Sequence, residues 1–364
     1  VAALDGLGTF TSVELSAAGA IVEYIKITQK GKLPRLEVLN SILEKSSMII
    51  DASTRKNLEL TQSISGTRED TLLLAIDRTI TGPGARLLSS RLVAPLTQVG
   101  DISDRLDQVE FFFSAHIARD GLRQILKKFP DIERILSRIT LGRGGPRDIA
   151  ALATGLALVP EIRATLNEDT ILNKPGIAIE HISNQLGEHE NLSVTLSRAL
   201  KSDLPLTIRE GGFITEGYNT VLDELVTLRD ESRKLVATLQ LKYRSATGVE
   251  SLKIKHNRIL GYFVDVSERN STKLGDMFIH RQTLKGVMRF STVELGDLEN
   301  KITTAAQKAL ELELELFDQL VQKILPHSED IAQLAKAVAN FDVASALAEL
   351  AIEKNYVRPI VDDS

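Results

Sequence analysis

Leu252-Lys253-Ile254-Lys255-His256-Asn257-Arg258-Ile259-Leu260-Gly261-Tyr262-Phe263-Val264-Asp265-Val266 is the stretch whose period differs from everything around it. Leu252 and Ile254 alternate with Lys253 and Lys255, and Leu260, Tyr262, Val264 and Val266 alternate with Gly261, Phe263 and Asp265. A period of two is a strand with one buried face, and His256-Asn257-Arg258 supplies the turn. On either side the apolar spacing lengthens to three or four. Upstream, from Tyr218 to Tyr243, it runs through Val221, Leu225, Leu228, Leu235 and Leu239. Downstream, from Val293 to Ile324, it runs through Leu298, Ile302, Ala305, Ala309, Leu312, Leu316 and Leu320. Each helical run is long enough to reach about 40–48 Å at the helical rise. Two long helices paired antiparallel as an arm, with a small β-rich module at the tip, satisfy all three patterns.

Outside the arm the chain reads as mainly α. Helices are expected over 16–29, 51–60, 68–76, 83–93, 101–113, 115–127, 131–138, 146–156, 189–198 and 331–352. Breaks fall at Gly82-Pro83-Gly84, Ala94-Pro95, Phe129-Pro130, Gly142-Arg143-Gly144-Gly145 and Leu204-Pro205. Asp51, Asp101 and Asp131 stand where N-caps are wanted, and Pro146 suits a first helical position. Met48-Ile49-Ile50 reads as a short strand or extended piece. Phe111-Phe112-Phe113 covers too much of a helix circumference for one stripe and reads as core plus an inter-domain contact.

With 364 residues, 43% hydrophobic and 26% charged, the chain is long enough for two or three domains with buried cores. Cys is absent, which excludes disulfides and thiolate chemistry and fits a reducing compartment. No run of about 18 apolar residues marks a bilayer span. The opening Val1-Ala2-Ala3-Leu4-Asp5 has no initiator Met and no leader pattern, so the chain is expected to be a piece of a longer one.

Charge is unevenly spread. Between Glu250 and Thr292, eight bases (Lys253, Lys255, Arg258, Arg269, Lys273, Arg281, Lys285, Arg289) face four acids (Glu250, Asp265, Glu268, Asp276). That island is +4 on a chain whose net charge is −5, which leaves −9 elsewhere. Lys, Arg, Asn, Gln and Thr donors on a β platform can grip a duplex backbone without reading bases; the plain alternative is a charged, solvated hairpin. Little else offers chemistry. There is no phosphate-binding Gly-x-x-x-x-Gly-Lys-Ser/Thr, and Gly142-Arg143-Gly144-Gly145 follows a helix rather than a strand. His181 and His189 beside Glu188 and Glu190 read as polar residues on the surface beside a loop rather than metal ligands, since no third and fourth ligand is suggested. Glu311, Glu313 and Glu315 read as a solvated helix face.

Several strings resemble the MutS family of mismatch-repair proteins, in that family's order. Asp51-Ala52-Ser53-Thr54-Arg55-Lys56-Asn57-Leu58-Glu59-Leu60 is similar to the start of its helical core, or lever. Gly84-Ala85-Arg86-Leu87-Leu88 with Pro95-Leu96 resembles the second segment of that core, and Asp131-Ile132-Glu133-Arg134 with Arg138 the third. Leu252-Lys253-Ile254, Asn257, Gly261-Tyr262-Phe263-Val264 and Arg281-Gln282-Thr283-Leu284-Lys285 resemble its clamp, and Glu294-Leu295 with Glu299 the returning helix. Arg91 stands where members often carry Trp.

The resemblance implies residues 1–45 as the end of a connector domain, 46–234 and 294–364 as the lever or core, and 235–293 as the inserted clamp. It also implies double-stranded DNA as partner. Asn257 and Arg281, Gln282, Thr283 and Lys285 are the contact candidates by motif, and Lys255, Arg258 and Lys273 by charge. Neither cofactor nor catalysis is expected of this chain itself. ATP and magnesium, a homodimer and the partner MutL are implied for the full-length protein, with this piece monomeric and the whole cytoplasmic and nucleoid-associated. Three or four phosphate contacts would give high-micromolar or weaker binding that falls with salt. Two rivals remain: a helical scaffold whose basic tip docks a protein, and an enzyme with a pocket of converging titratable groups.

Overall fold

The computed structural model describes residues 10–29, 36, 47–168, 176–257 and 259–363. It is mainly α with one small antiparallel sheet. In chain order the helices are α1 (Ser12–Thr28), α2 (Ala52–Asn57), α3 (Leu72–Ile76), α4 (Gly82–Val93), α5 (Val99–Ser114), α6 (His116–Leu126), α7 (Ile132–Thr140), α8 (Pro146–Ala157), α9 (Val159–Glu168), α10 (Ile177–Asn184) and α11 (Glu190–Ala199). Then come α12 (Thr220–Asp230), α13 (Ser232–Thr247), strands β1 (Lys253–Asn257) and β2 (Gly261–Ser267), α14 (Glu268–Ser271), β3 (Ile279–Leu284), β4 (Val287–Ser291), α15 (Val293–Ile324) and α16 (Ser328–Lys354). The chain divides into two compact units, 1–200 with 320–364, and 201–319.

The first unit is organised on α16. Small residues (Ala335, Ala337, Ala339, Ala344, Ser345, Ala346, Ala348) let neighbours approach it from most sides, and it packs against α4, α5, α6 and α7. Phe112 and Phe341 meet edge to face at 6.2 Å between centroids. Phe111 and Phe112 are core, whereas Phe113 is 44% exposed. At the start of α4, Asp342 of α16 is fully buried and accepts from the N–H of Ile80 (3.0 Å) and from the N–H and hydroxyl of Thr81 (2.7 and 2.6 Å). The Thr81 hydroxyl in turn accepts from Gly84 N–H as N-cap. A side chain on Gly84 would put its Cβ 2.1 Å from the Asp342 carboxylate, so only glycine lets this carboxylate sit there.

Asp51 and Asp131 cap their helices as expected. Asp101 does not: α5 begins at Val99, and Asp101 lies in its first turn. α9 and α10 lie outside the spans that periodicity marks. Pro160 sits in the first turn of α9, where its missing N–H costs nothing. Met48–Ile50 forms no strand; the only pairing there among the described residues is the bridge between Ser47 and Leu96. The stretch Pro146–Asn167 has the length and mean hydropathy (1.4) of a bilayer span, against expectation. It belongs to α8 and α9, whose Ile149, Leu152, Leu156, Val159, Ile162 and Leu166 are buried in the unit's core.

In the second unit the long upstream run is two helices, α12 and α13, meeting at Glu231. Their seam holds at Leu239, as the spacing suggests, and departs from it upstream. Leu222, Leu239 and Tyr243 are buried, while Val221, Leu228 and Leu235 are 56, 40 and 40% exposed. The seam of α15 holds through Ala305, Ala309 and Leu316. The pairing is antiparallel: Leu298 packs into the cluster that contains Leu239, Lys242 Nζ lies 2.8 Å from Glu294, and Val226 and Thr227 share a groove with Glu313. Glu313 is not on a solvated face. It is 3% exposed and accepts from the N–H groups of Gly212 (2.6 Å) and Ile214 (3.2 Å), closing the left-handed Gly211–Gly212 turn onto α15. Burying a carboxylate is tolerable when backbone donors satisfy it.

Candidate nucleic-acid interface

The sheet is ordered β1-β2-β4-β3, every neighbour antiparallel. Alternation sorts its faces. Ile254, Tyr262, Val264, Val266, Met288 and Phe290 turn to a core completed by Leu239, Tyr243, Leu252, Phe278 and Leu295. Tyr243 donates or accepts at 2.5 Å with the Thr292 hydroxyl, a satisfied polar handle in an apolar cluster. Burial, opposed by that bond, raises the phenol above its ordinary range. On the other face Arg289 stacks over the ring of Phe263 at 4.5 Å and donates to Gln282 at 2.9 Å.

The two edges are treated differently. Along β1, Gln240 of α13 accepts the Ile254 N–H at 2.8 Å, and Arg244 donates to the Leu252 carbonyl. β3 is exposed along its whole length, and a bulge between His280 and Gln282 leaves Arg281 out of register. A bulge with a charge is the usual way to blunt an open edge.

The expected contact residues fall into two groups. Lys285 lies in the β3–β4 turn beside Gly286 (φ +80°), whose carbonyl accepts from the Glu268 N–H at 3.4 Å. That bond brings the turn against the start of α14, so Lys285 shares an end of the sheet with Arg269 and with Lys273, just past α14. Arg281, Gln282 and Thr283 run along β3 towards the same end. Gln282 is tied to Arg289, and Thr283 pairs with His280 at 2.9 Å.

Lys255 and Asn257 are elsewhere. β1 is the opposite edge, about 14 Å across the sheet at the usual strand spacing, and Lys255 forms an ion pair with Asp265. Asn257 sits at the opposite end, its side-chain carbonyl accepting from the N–H groups of Ile259 (2.9 Å) and Leu260 (2.7 Å) to make the β1–β2 turn. Arg258 lies outside the described residues. Arg269 belongs with the first group but carries no motif; counting charge finds it, and only the bond from Glu268 places it.

Among the described residues no group of three His, Asp or Glu is set to hold a metal. His189 is 5% exposed, not a surface residue; it stands at the N-cap position of α11, with no capping bond from its side chain, in a cleft of about 650 Å³ shared with Arg163, Lys323 and His327. Burial lowers its pKa, and its Nε2 has no hydrogen-bond partner. His181 is exposed on α10, its Nε2 3.3 Å from the Gln185 amide. Arg91 on α4 bonds Asn340, and burial together with nearby Arg105 pushes its pKa down to about 10.

A family model described as MutS domain III matches residues 53–348. The chain is 45% identical to the DNA mismatch repair protein MutS of Rhodopseudomonas palustris (strain BisA53), over all of this chain and 40% of that protein. It is 44% identical to that of Roseobacter denitrificans over all of this chain and 42% of the relative, and 45% identical to that of Nitrobacter winogradskyi over all of it and 41%. The chain thus spans about two fifths of the length of these relatives. Matched over most of its length by the family model and over all of it by these relatives, the chain belongs to the MutS family.

Proposed function

We propose that the second unit grips duplex DNA by its phosphates, without reading bases, as the clamp of a DNA mismatch-repair protein, and that the helices of the first unit serve as its lever. One observation carries this: Lys273, Arg281 and Lys285 are exposed and gathered at one end and edge of a four-stranded sheet, with Arg269 beside them. Phosphate gripping needs no more than donors held in register with a backbone. ATP and magnesium, in this reading, bind residues other than those of this chain, which itself offers no phosphate-binding loop. Pairing with a second copy and handover to MutL belong to the longer protein, a cytoplasmic, nucleoid-associated one, and the chain by itself is a monomer. The test is a titration of labelled homoduplex and mismatched duplex at low salt, beside Arg281→Ala/Lys285→Ala. High-micromolar binding that ignores the mismatch and is lost in the variant supports the clamp; no binding at low salt, or equal binding by the variant, overturns it.

A second reading draws on Val221, Leu228 and Leu235, exposed seven residues apart along α12 and α13. Such a stripe suits docking of another helix, and makes the chain a scaffold. Charged substitutions at all three positions that leave duplex binding intact but abolish capture of MutL would favour it.

A further inference from the structure

Glu299 and Glu313 stand fourteen residues apart on α15, close to four turns and so on the same side of the helix. Each is received by a left-handed glycine turn. Glu313 holds Gly212 and Ile214; Glu299 accepts from the Tyr262 N–H at 3.3 Å, next to Gly261 at φ +65°. A Cβ on Gly261 would stand 1.8 Å from the Glu299 carboxylate, so the turn and the carboxylate interlock. Among the described residues the hydrogen bonds from α13, namely Gln240 to Ile254, Arg244 to Leu252 and Tyr243 to Thr292, lie where the chain enters and leaves the sheet. Glu299 is the tie at the far end of β2, by the β1–β2 turn.

We propose that Glu299 is a positioning residue for duplex binding: it fixes the sheet against rotation on α15, so that the basic end is presented in one orientation. The proposal rests on the clamp reading above. A sheet free to pivot must be ordered on binding, and that ordering is paid from affinity.

Charge gives the test its sign. Removing a carboxylate from a protein that binds a polyanion strengthens binding by simple electrostatics. Loss of the latch does the opposite. Duplex binding and amide exchange are measured for the wild-type chain, Glu299→Ala and Glu299→Gln. Expected for Glu299→Ala is about tenfold faster exchange at Tyr262, exchange unchanged at Val264 and Val266, and affinity about three- to tenfold weaker at an unchanged salt slope. Glu299→Gln keeps an acceptor while losing the charge, and is expected to bind as well as wild type or better. Unchanged exchange at Tyr262, or Ala and Gln variants that bind equally, overturns the positioning role. Failure of the wild-type chain to bind overturns the clamp reading and the positioning role with it, while exchange at Tyr262 still reports whether the latch exists.

Discussion

Gly84 and Asp342 show how far one residue's chemistry can dictate another's. The fully buried carboxylate of Asp342 survives because three donors from Ile80 and Thr81 meet it, and it reaches them only because residue 84 has no side chain. Gly84→Ala is therefore expected to destabilise by more than about 3 kcal/mol, since it displaces a buried charged acceptor from its donors. Denaturant unfolding checks it, and a change below about 1 kcal/mol would mean that the backbone yields instead. His189 gives a pH effect. Burial, the dominant cause, lowers its pKa; Asp330 and a hydrogen bond with the Leu186 backbone oppose it, and His327 and Arg163 add to it. The unfolded chain then binds the proton more readily than the folded one. Stability is complete above the ordinary imidazole pKa of about 6.5 and is lost as pH falls towards the depressed folded value. His189→Phe, which cannot be protonated, is expected to flatten that limb between about pH 7 and 5; an unaltered acid limb would show that other groups cause it.

At the scale of elements, the register of the arm can be tested by two neighbouring residues. Leu222 is 3% exposed and Val221 is 56% exposed. Leu222→Ala is expected to cost about 2–4 kcal/mol and Val221→Ala less than about 0.5. The reverse order in urea titrations would restore the seam that apolar spacing suggests.

Between Val221 and Leu235 that spacing misleads for a physical reason, whereas Leu239 is buried as it suggests. α12 and α13 carry apolar residues on two stripes, and only tertiary partners decide which stripe is inside. α15 has small residues, Ala305 and Ala309, on the buried side, so its seam was legible without a partner. Strands β1 and β2 declare themselves by alternation, but Arg281-Gln282-Thr283 is polar throughout, and an exposed edge strand leaves no hydrophobic period to read. Glu313 shows the same limit in reverse. Flanked by exposed Glu311 and Glu315, it looks solvated, yet backbone donors a hundred positions earlier in the chain make it core. Of the candidate interface, the charged island and the motif residues were visible in sequence; their separation into two groups was not, because pairing of β4 between β2 and β3 decides it.

For the molecule as a whole, charge sets the terms on which it can bind a polyanion. At −5 overall, bulk attraction works against DNA, so any grip must come from a local set of cations. The structure gathers Lys273 and Lys285 with Arg269 and Arg281, and leaves Lys255 across the sheet in an ion pair with Asp265. Each phosphate contact releases counterions and steepens the dependence of log K on log salt by about 0.9. Lys273→Ala/Lys285→Ala is thus expected to flatten a wild-type slope of about −3 by nearly 2, weakening matched and mismatched duplexes alike. Lys255→Ala removes the same kind of charge from the same island and is expected to leave the slope within about 0.3, because its ammonium already has a carboxylate. Slopes measured by fluorescence anisotropy from low to moderate salt separate the cases. If Lys255→Ala flattens the slope as much as the pair does, the duplex engages the β1 edge, and the grouping read from the sheet is not the one that binds.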